Sequence, residues 1–523
     1  MNSSNSTEIN VGTVGQGGQV GNTIYNCYPP TPSLRLDLHP VKWQSSNTSR
    51  FRYSSQGTQV FSRQEEQARL RQFLNSCNTP FCWWMIGGPG GMGKSRLAFE
   101  LALEASQNGW EAGFLPPGTG SRERHTLMQT LPDEWPSRPT LLILDYIAGE
   151  EEETGVSVAC LARRGKSTEP LRLLLLERDT NPEAPWWPRF WGSGEQLSIL
   201  EESRYDLPLT LAPLPLEAMA LIVKEWPGAK PPAAQWHSLL QRLHFGGRPL
   251  YAAFLADALE AILVGGREQW DDRSLVTRVL KREQSHWKQS GVTDKDIHLL
   301  VLTTLCGGLD TSRKDLPKYV RKLLKSAAQV QEPDFSARCL TMTGHTLDEA
   351  QPHLFPLEPD LLGELLFLEE LRPKSPTAED PHAKVRRNSL ATAWALNPLR
   401  VFATLSRAAQ DFPDHPGLFV LAKKVPDGLL GRLFWAQMVV NVIAYAGGVK
   451  TFQASDLLNL LTALARDHDG EAPLRELQAK GAFNLINAYG NAGQIDEARG
   501  LYEAIAALAR DHDGEAPLRE LQA

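Results

Sequence analysis

The nine residues GGPGGMGKS at positions 87–95 restrict this chain more than any other stretch. Gly88, Pro89, Gly90, Gly91, Met92, Gly93, Lys94 and Ser95 satisfy the spacing G-x-x-x-x-G-K-[ST]. Glycines so placed let the backbone curl into a nest whose N–H groups point inward at phosphate oxygens, and a helix opening at Ser95 adds its positive end. Lys94 is then positioned to neutralise β and γ phosphates, and the Ser95 hydroxyl to ligate Mg²⁺. Arg96 follows in the same first turn and joins the nucleotide-binding set. Such a loop works between a buried strand and a helix. FCWWMI (81–86) supplies a continuous apolar run before it, and SRLAFELALEAS (95–106) a helical pattern after it. The expected ligands are ATP or ADP with Mg²⁺.

Two more runs, TLLILDY (140–146) and LRLLLLERD (171–179), have the length and continuous hydrophobicity of strands buried on both faces of a parallel sheet. LPLTLAPL (207–214) reads as a further strand. With helical segments between them, beginning at SRQEEQARLRQFLN, they predict an α/β three-layer P-loop NTPase domain over 60–212. Asp145 ends its strand where a carboxylate holds Mg²⁺ through water. Tyr146 follows where efficient ATPases often place a catalytic acid, so slow hydrolysis is expected. Glu150 to Glu153 read either as a source of a base or as a solvated loop. Arg178, at the exit of its strand, is placed to reach a γ phosphate or to pair with Glu177 or Asp179.

After Pro215 the strand signal fades. LEAMALIVKEW, WHSLLQRLHF, LYAAFLADALEAIL and DIHLLVLTTLC are amphipathic helices, LRPKSPTAEDPHAK (371–384) reads as a linker or exposed loop, and helices resume at about 385. ALARDHDGEAPLRELQA occurs at 463–479 and again, unchanged, at 507–523, an offset of 44 residues that suits stacked helical hairpins. Leu485, Tyr489, Gly493, Ala498 and Tyr502 fit a tetratricopeptide hairpin, and an eroded copy places Tyr445 and Ala454 under Tyr489 and Ala498.

With 523 residues, 42% hydrophobic and 22% charged, the chain has room for about three to four domains, each with its own core. A net charge of −7 and the lack of any run of five Lys or Arg leave no electrostatic footprint for nucleic acid, and none is expected as a partner. Six cysteines without a CxxC pair suggest a reducing, cytoplasmic setting. No Lys or Arg precedes Arg35, so the beginning does not read as a signal peptide. LFWAQMVVNVIAYAGGV (433–449) contains Gln437 and Asn441, falls short of a membrane span, and reads as a buried helix.

The phosphate loop, Asp145, Arg178, the GGRPL segment (246–250) and the repeats together resemble the STAND family, signal-transduction ATPases related to NB-ARC and NACHT proteins. The resemblance implies a multidomain α/β plus all-α chain: a P-loop NTPase parallel sheet, then helical and winged-helix domains, then TPR-like helical-hairpin repeats. The expected boundaries are a tail at 1–34, a linker at 35–59, the NTPase domain at 60–212 and a helical domain at 213–283. A winged-helix-like domain at 284–372, a linker and helical arm at 373–418, and repeats at 419–523 follow. It further implies that Pro249 lies against the base or ribose, that VFSR (60–63), with Val60 and Phe61, lines the adenine pocket, and that His353 senses phosphate. LFPLEPDLLGELLFLEEL (354–371) would close the winged-helix part. ADP would lock these domains together, a ligand or protein trigger on the repeats would loosen them, and the ATP-bound form would self-associate.

Of the first 26 residues, 18 are Asn, Gln, Ser, Thr or Gly, and Glu8 is the only charged side chain. Such a segment reads as disordered on its own. NVGT (10–13) and QVGNT (19–23) are short pseudo-repeats in which Val11, Gly12, Gln19, Val20, Gly21 and Asn22 can stack in register with amide ladders alongside. GGQVGNTIYN (17–26) resembles amyloid signalling motifs, which implies a separate effector with a matching motif. The whole points to a bacterial-type switch in immunity, antiphage or stress signalling. The alternatives are a transcription regulator of the same architecture, for which no basic helix-turn-helix is found, and a P-loop small-molecule kinase.

Overall fold

The computed structural model describes residues 39–40, 51–55, 60–75, 79–115, 138–148, 150–164, 169–182, 184, 186–226, 237, 240–241, 245–265, 271–330, 333–347, 352–372, 383–468 and 471–511. The tail motif, Val11, Gly12, Gln19, Val20, Gly21 and Asn22 included, lies outside these residues, as do 373–382 and most of the second 17-residue copy.

The three long apolar runs form strands β2 (Phe81–Gly87), β4 (Thr140–Asp145) and β5 (Leu171–Glu177). Together with β1 (His39–Pro40), β3 (Glu111–Phe114) and β6 (Leu209–Thr210) they make one sheet in the order β1-β3-β4-β5-β2-β6. Strands β2 to β6 are parallel, and only β1 pairs antiparallel. Burial of nearly every residue of β2, β4 and β5 is what a parallel sheet covered on both faces demands. The consecutive tryptophans show both faces: Trp83 packs on Phe190 and Trp191, while Trp84 packs on Phe73 and Tyr205. Each satisfies its indole N–H, Trp83 on the Leu200 carbonyl at 3.0 Å and Trp84 on that of Leu207 at 2.8 Å. One layer holds α1 (Gln64–Asn75) and α2 (Lys94–Gln107), the other α3 (Glu151–Arg164), α4 (Trp187–Trp191) and α5 (Glu195–Ser203).

Register decides what meets at the sheet's carboxyl edge. Gly87 stands opposite Glu177 and Asp145 opposite Leu176. The phosphate loop, Asp145 and Arg178 therefore emerge from the neighbouring strands β2, β4 and β5, with β5 in the middle.

The rest is almost all helix. It runs α6 (Leu216–Glu225), α7 (Pro249–Gly265), α8 (Asp272–Gln289), α9 (Asp294–Cys306), β7 (Leu309–Asp310), α10 (Lys318–Ala328), α11 (Phe335–Thr343), β8 (His353–Leu354) and α12 (Asp360–Leu371). Then come α13 (Ala383–Leu396), α14 (Pro398–Asp411), α15 (Pro416–Ala422), α16 (Leu429–Ala446), α17 (Thr451–Asp467), α18 (Ala472–Asn491) and α19 (Ile495–Asp511). Strands β7 and β8 pair antiparallel. Capping boxes start α8 at Asp271 with Ser274 and α9 at Thr293 with Asp296.

Several expected boundaries give way. Helix α8 runs through position 283 to Gln289, because its apolar stripe of Leu275, Val276, Val279, Leu280 and Trp287 is continuous. The sheet with α1 and α2 has a core of its own, but among the described residues the helical part does not divide further: one apolar core extends from Leu214 to Ile505 and also takes in Phe51. Residues 51–55, expected as linker, form a strap in which Phe51 stacks on Trp226 and Tyr53 stacks on Phe114. In the expected arm, α13 and α14 are buried in the shared core, contributing Leu390, Trp394, Val401 and Leu405.

The repeat period holds in the helices, since α19 begins and ends 44 residues after α17. Leu485, Tyr489 and Ala454 are buried as in a packed hairpin; Tyr502 is 58% exposed, and Tyr445, 43% exposed, meets α14 through Gln410. Helix α16 is long and apolar enough to cross a membrane, yet it lies among α14, α17 and α18 with Trp435, Met438, Val439 and Val442 in the core. Length and apolarity thus suffice for a span, contrary to the expectation from sequence, and the expected burial is met in part, with 44% of the helix buried.

Candidate functional site

A cavity of about 190 Å³ opens at the carboxyl edge of the sheet. Its wall brings together Gly90, Gly91, Met92, Gly93, Lys94, Ser95 and Arg96 with Asp145, Val60, Phe61 and Pro249. Residues expected from four separate stretches thus surround one space. The loop is a tight curl: Gly91 and Gly93 have φ of 78° and 90°, a region side-chain-bearing residues rarely enter. It is tied down at both ends, by Gly88 N–H donating to the Arg178 carbonyl at 3.2 Å and by Leu250 N–H donating to the Gly91 carbonyl at 3.2 Å. The second bond brings the GGRPL turn onto the loop, with Pro249 at the start of α7.

Gly88 and Pro89 do not line the cavity; their carbonyls accept from the Lys94 ammonium at 2.5 and 3.2 Å. Burial, with Arg178 adding to it, lowers the Lys94 pKa to about 8. The Ser95 hydroxyl donates to Asp145 Oδ2 at 2.6 Å. Asp145 Oδ1 is buried without a hydrogen-bond partner among the described residues, and burial raises the Asp145 pKa to about 7. A hydroxyl beside a carboxylate with an idle oxygen suits Mg²⁺, which prefers oxygen ligands and keeps several waters. Among the described residues no group of three or more His, Cys, Asp or Glu could hold a metal by itself. The other ligands of such an ion would be phosphate oxygens and water. Arg96 bonds Glu100 and the carbonyls of Tyr53 and Ser55, fixing the strap to α2.

At the far end the wall is apolar, with Phe51, Val60, Phe61, Leu214, Ile222 and Trp226. Trp226 Nε1 is buried there with no partner among the described residues. Arg63 lines the same end and donates to the Ala212 carbonyl at 2.7 Å.

Arg178 stands directly behind Gly90: a Cβ at that glycine would meet its guanidinium carbon at 3.0 Å. It pairs with neither Glu177 nor Asp179 through its side chain. Its Nη1 donates to Asp411 Oδ2 at 2.6 Å, and its Nη2 to Glu364 Oε1 at 2.6 Å and Asp360 Oδ2 at 3.1 Å. Burial opposes its charge, but Glu364, Asp411 and Asp360 outweigh that and hold its pKa well above the ordinary arginine value. Asp360 and Glu364 lie one turn apart on α12, and Asp411 ends α14, where a helix's negative end also favours cations. Arg248 of the GGRPL turn takes the other Asp411 oxygen at 2.6 Å.

Tyr146 is held in the left-handed region at φ 60°. Its carbonyl accepts from Arg400 at 2.7 Å, and Arg407 lies over its ring at 4.8 Å. Glu150 is not part of a solvated loop; it is buried and paired with Arg400 at 2.8 Å. Glu151 is likewise buried and paired with Arg189. Neither has the freedom of a general base. His353 opens β8, opposite Asp310, and is not among the residues lining the cavity, so the phosphate-sensing role is not supported by its position.

Asp360, Glu364, Asp411, Arg52 and Arg400 were not singled out by the sequence. One signal was present: Glu364 is a lone carboxylate inside LLGELLFL, which demands a buried partner. The chain matches no family model and no curated protein.

Proposed function

We propose that this chain is a STAND-type switch whose state is set by ATP or ADP with Mg²⁺. The single observation that carries this reading is the position of Arg178. It sits at the rim of the phosphate loop, beside the loop's Gly90, and three carboxylates from helices remote in sequence hold it. A phosphate-responsive arginine bound by α12 and α14 suits a latch, in which occupancy of the loop and packing of the helices compete for one guanidinium.

On this reading Lys94 neutralises the phosphates and the loop N–H groups orient them, while Ser95 and Asp145 hold Mg²⁺. Bound Mg²⁺ screens phosphate charge. Val60, Phe61, Pro249 and Trp226 exclude water from the base. Tyr146 and the engaged Glu150 and Glu151 leave hydrolysis slow, a reset rather than the output. The hairpin repeats take up a ligand or protein trigger, the ATP-bound form self-associates, and the tail recruits a separate effector by homotypic stacking in the cytoplasm.

Lys94→Ala tests the reading. The full chain should bind fluorescent ADP and ATP, and the variant should lose binding by at least about tenfold, the scale of one strong charged contact. Equal binding by both proteins would sink the proposal, as would fast turnover with a small-molecule phosphate acceptor by a monomer.

A further inference from the structure

Arg52 belongs to the strap that precedes the first helix of the sheet domain. Its side chain is only 2% exposed and forms part of the cavity wall. One nitrogen, Nη2, is engaged: it donates to Glu358 Oε2 at 3.1 Å and faces His345 Nε2 at 2.6 Å. The other two, Nε and Nη1, are buried with no hydrogen-bond partner among the described residues. Leaving buried donors of a charged group idle is unfavourable, and the cavity that Arg52 lines is a space that a ligand can enter.

The place of Arg52 along that cavity follows from its neighbours. Tyr53 and Ser55, one and three residues on, give their carbonyls to Arg96, which directly follows Ser95, the proposed Mg²⁺ ligand. Glu358 lies two residues before Asp360, is close enough to Asp145 to raise its pKa, and shares the lining of a neighbouring cleft with Asp145 and Asp360. Arg52 therefore stands at the phosphate half. An occupant that accepts hydrogen bonds from a guanidinium there, with Lys94 on the same wall, carries negative charge.

We propose that Arg52 is a further ligand-binding residue, contacting the phosphate chain of the bound nucleotide through Nε and Nη1. This rests on the nucleotide reading above and adds a contact outside the phosphate loop. It also gives α12 a second link to the ligand, because the same guanidinium holds Glu358.

Calorimetry on the full chain with ADP and with adenosine, both with Mg²⁺, tests it. Arg52→Gln should weaken ADP about 10- to 100-fold and leave adenosine unchanged, as for loss of a hydrogen bond to a charged oxygen. Arg52→Lys should recover part of the loss. Because Arg52→Gln strands Glu358, the double variant Arg52→Gln/Glu358→Gln is measured too, and it should show the same ADP loss with the melting temperature restored. ADP affinity unchanged in both variants overturns the assignment while leaving the nucleotide reading intact. An equal loss for ADP and adenosine overturns it in favour of a ribose contact or a purely structural role. Failure of the wild-type chain to bind any nucleotide overturns both.

Discussion

Asp411→Asn is the most direct way to ask whether the carboxylate cluster holds the closed arrangement. The side chain is 3% exposed and bridges Arg178 and Arg248, each at 2.6 Å. Removing one partner of a buried pair costs about 3–5 kcal/mol. The amide keeps one acceptor oxygen, Arg178 retains Glu364 and Asp360, and Arg248 is 24% exposed, so the lower figure applies. About 3 kcal/mol is roughly a hundredfold in an equilibrium constant. Amide hydrogen exchange should show local opening of α12 and the end of α14 increased by about that factor, with β2, β4 and β5 as protected as before. Asp414→Asn is the control. Its partner Arg273 and Asp414 itself are 31% and 46% exposed, and such a surface pair contributes about 0–1 kcal/mol. If Asp411→Asn leaves exchange in α12 and α14 unchanged, or raises it equally in the sheet, the carboxylates do not form a latch.

Further outcomes are expected. On the nucleotide reading phosphate binding needs the Lys94 ammonium, whose pKa lies near 8, so binding at pH 9 should take up close to one proton that Lys94→Met does not. At pH 6.5 Lys94 takes up none and Asp145, with a pKa near 7, gives up most of one on ionising to hold Mg²⁺; calorimetry in buffers of different ionisation enthalpy reads both. For folding, the unfolded lysine, at its ordinary value of 10.5, holds a proton that the native one has lost between pH 8 and 10.5; the Lys94 contribution therefore grows with pH across that window, is lost as pH falls through 8, and should vanish in Lys94→Met. Arg338→Met strands the fully buried Asp296, which keeps its bonds to Thr293, and should lower stability in urea by about 3 kcal/mol; no change in the midpoint would refute that. Gly155→Ala places a Cβ 2.0 Å from the Phe190 carbonyl and should destabilise by about 1–3 kcal/mol, whereas Gly500→Ala, with open space inside α19, should stabilise by about 0.5–1 kcal/mol in thermal melts.

What was legible in the sequence was what short-range pattern encodes. The runs 81–86, 140–146 and 171–179 announce strands because a two-sided sheet leaves no polar alternation, and the loop between strand and helix fixes Lys94 and Ser95. The 44-residue period places α17 and α19 because each repeat carries its own helix pattern. The four-residue β3 was missed, since EAGF has neither an apolar run nor alternation. Phe51 was missed for a similar reason: five residues carry no periodicity, and its burial depends on Trp226 and Phe254. Glu150 and Glu151 looked solvated because the arginines that bury them, Arg400 and Arg189, lie 250 and 38 residues downstream. For Arg178 the partners are 182, 186 and 233 residues away, and local rules say nothing about carboxylates at that distance.

Those long separations also explain how a signal on the repeats would reach the loop under the switch reading. Helix α14 ends in Asp411 and is itself the helix on which α16, the first helix of the hairpin array, is packed. The seam between them is partly polar: Asn441 donates to the Ser406 hydroxyl at 3.0 Å and Gln410 to the Tyr445 hydroxyl at 2.7 Å, beside the Phe402–Phe434 contact. Gln410 is the residue immediately before Asp411. A displacement of α16 therefore acts one residue from the carboxylate that holds Arg178 and Arg248. Arg178 in turn carries the backbone carbonyl that anchors Gly88 and a guanidinium against Gly90. A trigger that prefers the displaced array by several kcal/mol has enough free energy to outweigh one buried carboxylate bridge, and a trigger without such preference changes nothing however tightly it binds. The Gln410→Ala and Tyr445→Phe variants separate transmission from the latch itself: each should leave nucleotide affinity unchanged and weaken only the effect of the trigger on nucleotide exchange, and an equal response to the trigger in both would show that the seam carries no coupling.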